Sequence, residues 1–187
     1  MPLAPWRSPL ARAIHRNRAK AHSRYFQLAT VDHHGRPANR TVVFRGFTDT
    51  ALKMITDGRS EKIQQIQQHP WGEICWYFTS TREQFRIAGS LTLIEPDTDS
   101  QNLRQQVWQQ LSNRAQQQFY WPHPGQPRND DADSFADVTV GDRPPDTFRV
   151  MLLEPDRVDH LELRGEPQNR YLYQKSTQGW QTTSVNP

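Results

Sequence analysis

The sequence predicts a mainly β fold with flanking helices, its antiparallel strands curling into a closed or nearly closed barrel. Three observations predict it. Short apolar runs recur along the chain, the clearest at 84–94, where Phe85, Ile87, Leu91 and Leu93 share one face and Gln84, Arg86, Ala88, Ser90 and Thr92 the other. Turn-forming clusters separate the runs, as in Asp32-His33-His34-Gly35-Arg36-Pro37. Few segments carry helical spacing.

The elements follow in order. Residues 1–24 hold Arg7, Arg12, Arg16, Arg18, Lys20 and Arg24 and no acid. Ser8-Pro9 forms an N-cap and N1 pair, and Leu10, Ile14 and Ala21 give an apolar stripe. An Arg-rich, acid-poor start also suits a targeting peptide or a nucleic-acid arm. We favour a basic helix packed on the barrel, because the strand at 25–31 begins too soon for a long leader. Strands at 25–31 and 40–47 flank a hairpin turn. His33 and His34 diverge there, and no nearby residue completes a metal set. A short strand at 52–56 precedes a helix at 60–68, which ends near Pro70. A buried strand at 71–79 turns through Ser80-Thr81-Arg82 into 84–94, where Gly89 marks a bulge or barrel corner. Residues 99–119 read as one helix, with Leu103, Val107, Leu111, Ala115 and Phe119 spaced by four. Residues 120–146 form a long irregular loop. Strands at 148–153, 158–163, 170–174 and 180–183 finish the sheet.

Composition bounds the function. A chain of 187 residues is read as one domain. Mean hydropathy is −0.91, yet six Trp, five Tyr and eight Phe supply a core. Cys75 stands alone in an apolar run, which excludes an intrachain disulfide and suits a reducing, cytoplasmic compartment. No apolar run is long enough to span a membrane. A net charge of +3 is weak footing for nucleic acid, despite a pI near 9.2.

The chemistry concentrates in two stretches. Residues 39–47 carry Arg40 and Arg45 around an apolar run, and residues 55–62 carry Arg59 and Lys62 where a strand ends and a helix starts at Ser60. Cations at a helix start make sense when an anion sits on the free N–H groups. Converging cations point to a phosphate; solvated surface charges, or charges guarding an edge strand, are the plainer alternatives. Alternation sets Arg40, Val42 and Phe44 opposite Thr41, Val43 and Arg45. Both arginines reach one site only if the strand twists or bulges.

This order of motifs resembles the pyridoxamine 5'-phosphate oxidase family of FMN-binding split barrels, most of all the branch common in cyanobacteria. The likeness rests on Arg40 to Arg45, Ile55-Thr56, Ser60 to Lys62, Gln84 and the closing Asn169-Arg170-Tyr171-Leu172-Tyr173-Gln174. It implies an antiparallel, Greek-key-like split β-barrel that holds FMN at a homodimer interface. Arg40, Ser60 and Lys62 would hold the phosphate. Backbone groups of Thr41, Val42, Val43 and Phe44 would line the polar edge of the ring. Ile55 and Thr56 would lie near the ribityl chain, with Gln84 and Arg170 on the flavin. The family's arginine before Lys62 is Glu61 here, and we add Arg59 as its substitute. For the substrate the resemblance offers Arg45 in place of a family lysine, with Tyr120 and Arg128 after the long helix at altered spacing. The family's Arg-x-His pair is missing, with Glu166-Pro167-Gln168 near its place, and its tryptophan is His160 or Leu161 here. The implied reaction is hydride transfer from pyridoxamine or pyridoxine 5'-phosphate to FMN, with oxygen reoxidising the flavin. No acid–base residue stands out as catalytic. A flavin-binding protein or flavin reductase with another substrate is the alternative, and a basic nucleic-acid-binding barrel ranks behind both.

Overall fold

Among the described residues eight antiparallel strands form one sheet, and the chain's route through it explains where the cations meet. The structure is a computed structural model that describes residues 3–128 and 132–187. In chain order the elements are α1 (Arg7–Asn17), β1 (Tyr25–Val31), β2 (Pro37–Val43), β3 (Leu52–Asp57), α2 (Glu61–Gln68), β4 (Trp71–Phe78) and β5 (Glu83–Ile94). They continue with α3 (Leu103–Gln109), α4 (Asn113–Gln117), β6 (Phe148–Glu162), β7 (Asn169–Ser176) and β8 (Gly179–Val185).

The sheet runs β2-β1-β4-β5-β6-β7-β8, and β3 pairs with β6 off that path. Closure comes from the segment after β2. Its backbone leaves β1 after Phe44 N–H donates to Arg24 O, and joins β3 through Arg45 N–H to Lys53 O and Lys53 N–H to Gly46 O. Gly46 makes the change of direction at φ +105°. β3 thereby bridges β2 and β6, giving a split barrel. The expected strand 40–47 accordingly ends at Val43, because its last residues pair with a different neighbour.

The longest strand, β6, merges the two expected at 148–153 and 158–163. Its first half pairs with β3, its second with β7, and β5 runs along both. The join is a bulge: Gly89 faces Pro155 while Ala88 faces Arg157, leaving Asp156 extra. Gly89 is required there, since a Cβ would stand 2.0 Å from Glu154 O.

Two apolar clusters fill the molecule. The barrel core includes Phe26, Leu28, Leu52, Met54, Ile74, Trp76, Phe85, Ile87, Leu153 and Val158. Helix α1 closes one end of it with Trp6, Leu10 and Ala13, and buried Asn17 ties the helix to Ser80 and Thr81. That stripe differs from the expected one: Ser8-Pro9 lies inside the first turn, which starts at Arg7, and Ala21 is exposed beyond the helix. The reason is Trp6, whose burial sets the start.

The second cluster packs Val107, Trp108, Leu111 and Phe119 on Phe148 and Val150. The single helix expected at 99–119 is two. Asp99 accepts from Leu103 N–H and Arg104 N–H to start α3, and Ser112 Oγ accepts from Ala115 N–H to start α4. The four-residue spacing survives the break because both short helices rest on the same face of β6. Buried Arg104 donates to the carbonyls of Phe148 and Pro145, and Thr147 Oγ1 to that of Phe119. These bonds pin both ends of the long irregular segment. Substituting Gly89→Ala should destabilise the fold by about 3 kcal/mol through backbone overpacking, read as a lower midpoint in urea unfolding. An unchanged midpoint would refute the bulge packing.

Candidate functional site

A cavity of about 590 Å³ lies between the β2–β3 wall and the segment after α4. That volume falls within the roughly 300–1,000 Å³ of small-molecule and cofactor sites. Arg40, Thr41, Val42, Val43 and Arg45 line one side together with Ile55, Thr56, Asp57 and Lys62. Both arginines reach it because β2 ends at Val43, which breaks the alternation that would have parted them. The opposite side is Gln118, Phe119, Trp121, His123, Arg128 and Phe135 with several prolines.

Arg40 and Lys62 are held by neutral acceptors. The Arg40 guanidinium donates to Gln65 Oε1 at 2.8 Å, to Thr30 Oγ1 and to Leu28 O. Thr30 also donates to Gln65 Oε1, so α2 and β1 together fix the guanidinium. Lys62 Nζ donates to Thr56 Oγ1 at 2.9 Å and Ser60 Oγ at 2.8 Å. Ser60 stands at the N-cap of α2 but makes no side-chain cap bond; its hydroxyl donates to Asp57 O instead. Burial pushes the Lys62 ammonium down to about 8, and the Arg40 charge acts in the same direction.

The other expected residues are placed differently. Arg59 clasps Asp57 through two bonds, Nε to Oδ1 at 3.0 Å and Nη2 to Oδ2 at 2.7 Å, and does not line the cavity. Phe44 packs on Phe47 and Trp76. Gln84 lies beside Cys75, whose Sγ is 3.9 Å from its Oε1. Arg170 is doubly bonded to Asp159. Gln84 and Arg170 both lie off this chain's own cavity. The Tyr120 ring sits edge-on to Trp108 at 6.5 Å and is off the cavity too. Arg128 lines the cavity, its guanidinium 5.1 Å from the Phe135 ring. Arg45 Nε is buried with no hydrogen-bond partner.

Sequence reasoning missed Thr30, Gln65 and Asp57. The signal for Thr30 was the strand register, which sets Leu28 opposite Arg40 and brings Thr30 within reach. It also missed a cluster on the other face. Glu83, His160 and Glu162 place three donor atoms within 4.8 Å of one another, because the register pairs Glu83 with Glu162. His160 stacks on Phe85 at 4.0 Å, with Nε2 3.0 Å from Glu83 Oε2 and Nδ1 buried without a partner. A metal on Nε2 would force the proton onto that unpartnered Nδ1, so the set reads as a hydrogen-bonded histidine.

Comparison with known proteins identifies the family and the fold. The family described as pyridoxamine 5'-phosphate oxidase, FMN-binding domain, matches residues 3–95. Pyridoxine/pyridoxamine 5'-phosphate oxidase 2 of Arabidopsis thaliana is 37% identical over 196 residues, covering 99% of this chain and 98% of that one. The crystal structure of a pyridoxamine 5'-phosphate oxidase-related, FMN-binding protein from Nostoc punctiforme PCC 73102 is 55% identical, covers 100% of both chains and superposes with a TM-score of 0.96. PhzG from Burkholderia lata 383, in complex with tetrahydrophenazine-1-carboxylic acid, shares the fold at a TM-score of 0.83 and 19% identity, covering 100% of this chain and 94% of that one.

The cavity fits FMN on its own evidence. A phosphate needs cations that no carboxylate has already paired with, and the half-buried Arg40 and Lys62, bonded only to neutral acceptors, meet that need. Val42, Val43 and Ile55 offer the apolar surface a flat ring requires. FMN affinity should therefore fall as pH rises through about 8, where the free-site Lys62 loses its proton. The ammonium is fully present below that pH, and phosphate binding extends it upward. Titration of apo-protein with FMN across that window checks this, with riboflavin as a phosphate-free control; an FMN affinity flat with pH would contradict it.

Proposed function

Because this chain belongs to the pyridoxamine 5'-phosphate oxidase family, whose cofactor is FMN, we propose that it is an FMN-dependent oxidase of pyridoxamine or pyridoxine 5'-phosphate. FMN, held by this cavity, would supply the two-electron chemistry: oxidation at the substrate's C4' carbon, with oxygen as the final acceptor and hydrogen peroxide as a product. The chain's own residues bind and orient. Arg40 and Lys62 would hold the cofactor phosphate, Thr56 and Ser60 orient the Lys62 ammonium, and the 41–43 backbone would line the ring.

The observation that carries this reading is Arg45. It shares the cavity with the phosphate cradle, and its Nε is buried without a partner. A guanidinium so placed suits the anionic end of a substrate. Arg128 and the Phe135 ring would close the opposite side. Holo-protein should convert pyridoxamine 5'-phosphate, oxygen and water to the aldehyde and ammonia, with one hydrogen peroxide per turnover. Arg45→Ala should raise KM for that substrate about tenfold, the scale of one charged hydrogen bond, and leave FMN content unchanged. Holo-protein without turnover on either phosphate would overturn the proposal.

A flavoprotein acting on another substrate is the second reading, favoured by Tyr120. Its ring is committed to Trp108, where a substrate-phosphate tyrosine would face the cavity.

The reading includes a homodimer. Its support is that Gln84 and Arg170 are off their own cavity, while Trp71 and Tyr77 are 57% and 44% exposed on β4. Sedimentation should give twice the chain mass; a monomer that retains FMN would remove this part. Arg40→Ala and Lys62→Glu should each weaken FMN binding by about a hundredfold. Retained affinity in both would show that the phosphate lies elsewhere.

A further inference from the structure

Asp57 is the one acidic residue on the cavity lining among the described residues. It is the last residue of β3, directly before the turn that leads through Ser60 into α2, which carries Lys62. A carboxylate there acts on an anion site in two opposed ways: it repels a phosphate, and an ion pair with it would draw the Lys62 ammonium off the phosphate, although its charge also favours the protonated lysine. Neither oxygen is spent on Lys62 in this structure. Oδ1 accepts the Arg59 backbone N–H at 2.8 Å and Arg59 Nε at 3.0 Å, and Oδ2 accepts Arg59 Nη2 at 2.7 Å. The Lys62 ammonium turns instead to the hydroxyls of Thr56 and Ser60.

We propose that Arg59 is a positioning residue, which acts on the cofactor phosphate through Asp57 by neutralising that carboxylate and holding it off Lys62. The inference rests on the phosphate reading of the cavity. It assigns Arg59 a role different from a direct phosphate ligand, although both roles use a cation next to the same turn. A direct ligand would line the cavity with free donors. Arg59 does not line it, and its Nε and one terminal nitrogen are already committed to Asp57. The pair is about a quarter exposed at Arg59 and a fifth at Asp57, so it is shielded from full solvent screening.

The two roles separate in a double-mutant cycle. Arg59→Ala should weaken FMN binding about tenfold, the scale of one charged interaction. Adding Asp57→Asn should restore affinity to near the wild-type value, because Asn keeps an acceptor for the Arg59 N–H and loses the charge. Asp57→Asn alone should bind FMN at least as well as wild type. Riboflavin affinity should stay level across all four proteins. Arg59→Gln, a less disruptive change, should behave as Arg59→Ala does, and circular dichroism checks that each variant is folded. A double variant as weak as Arg59→Ala would overturn the proposal and make Arg59 a direct ligand. An unchanged Arg59→Ala would overturn it as well. Equal affinity of wild type for FMN and riboflavin would instead bring down the phosphate reading itself, so the two failures are distinguishable.

Discussion

Arg40 and Lys62 sit together in a cavity with only neutral groups bonded to them, and the rest of the site is arranged around that electrostatic cost. Burial and mutual repulsion both work against the charges, which is why the Lys62 ammonium titrates near 8 rather than at its ordinary value. Holding them needs rigid acceptors on three elements. Leu28 and Thr30 come from β1, Thr56 from β3, and Ser60 and Gln65 from the start and body of α2. The barrel closure brings those elements into one place, because the chain leaves β1 at Phe44 and joins β3 at Arg45. A cation pair of this kind is preorganised for an anion: part of the desolvation cost is met before the ligand arrives.

The opposite side of the cavity depends on the second apolar cluster. Trp108, Phe119 and Phe148 seat the two short helices on β6, and Arg104 staples the end of the irregular segment through two carbonyls. Trp121, His123 and Arg128 are thereby presented to the cavity from a segment with little regular structure of its own. This division of labour separates two tasks. The strand-and-helix side carries the fixed cations Arg40 and Lys62, on which the proposed phosphate site rests, and the loop side carries aromatic and cationic surface. No helix among the described residues is long and apolar enough to cross a membrane.

Much of this was legible in the residues. Alternation at 84–94 and the turn at 32–37 revealed strands, because one face of each is buried. The join of β6 was not legible: Pro155 and Asp156 read as a break, and only the facing Gly89 shows that the strand continues through a bulge. The double helix at 99–119 was hidden for a similar reason, since a spacing of four persists across a capped break when both pieces face one surface. In the site, converging cations pointed to Arg40 and Lys62 and the resemblance added Ser60; the structure sets both cations on one cavity and bonds Ser60 to Lys62. Thr30 and Gln65 were invisible, because their role arises from strand register and helix packing across distant parts of the chain. The sequence suggested Arg59 as a phosphate cation, whereas its nearest partner is Asp57, two residues away. Charge type is readable from sequence; which opposite charge claims it is decided by local geometry.

The crystal structure of the FMN complex tests the central claim most directly. The account predicts the phosphate within hydrogen-bond distance of the Arg40 guanidinium and Lys62 Nζ, with the ring along the backbone of residues 41–43. A phosphate bound away from both cations, with Lys62 still bonded only to Thr56 and Ser60, would contradict it.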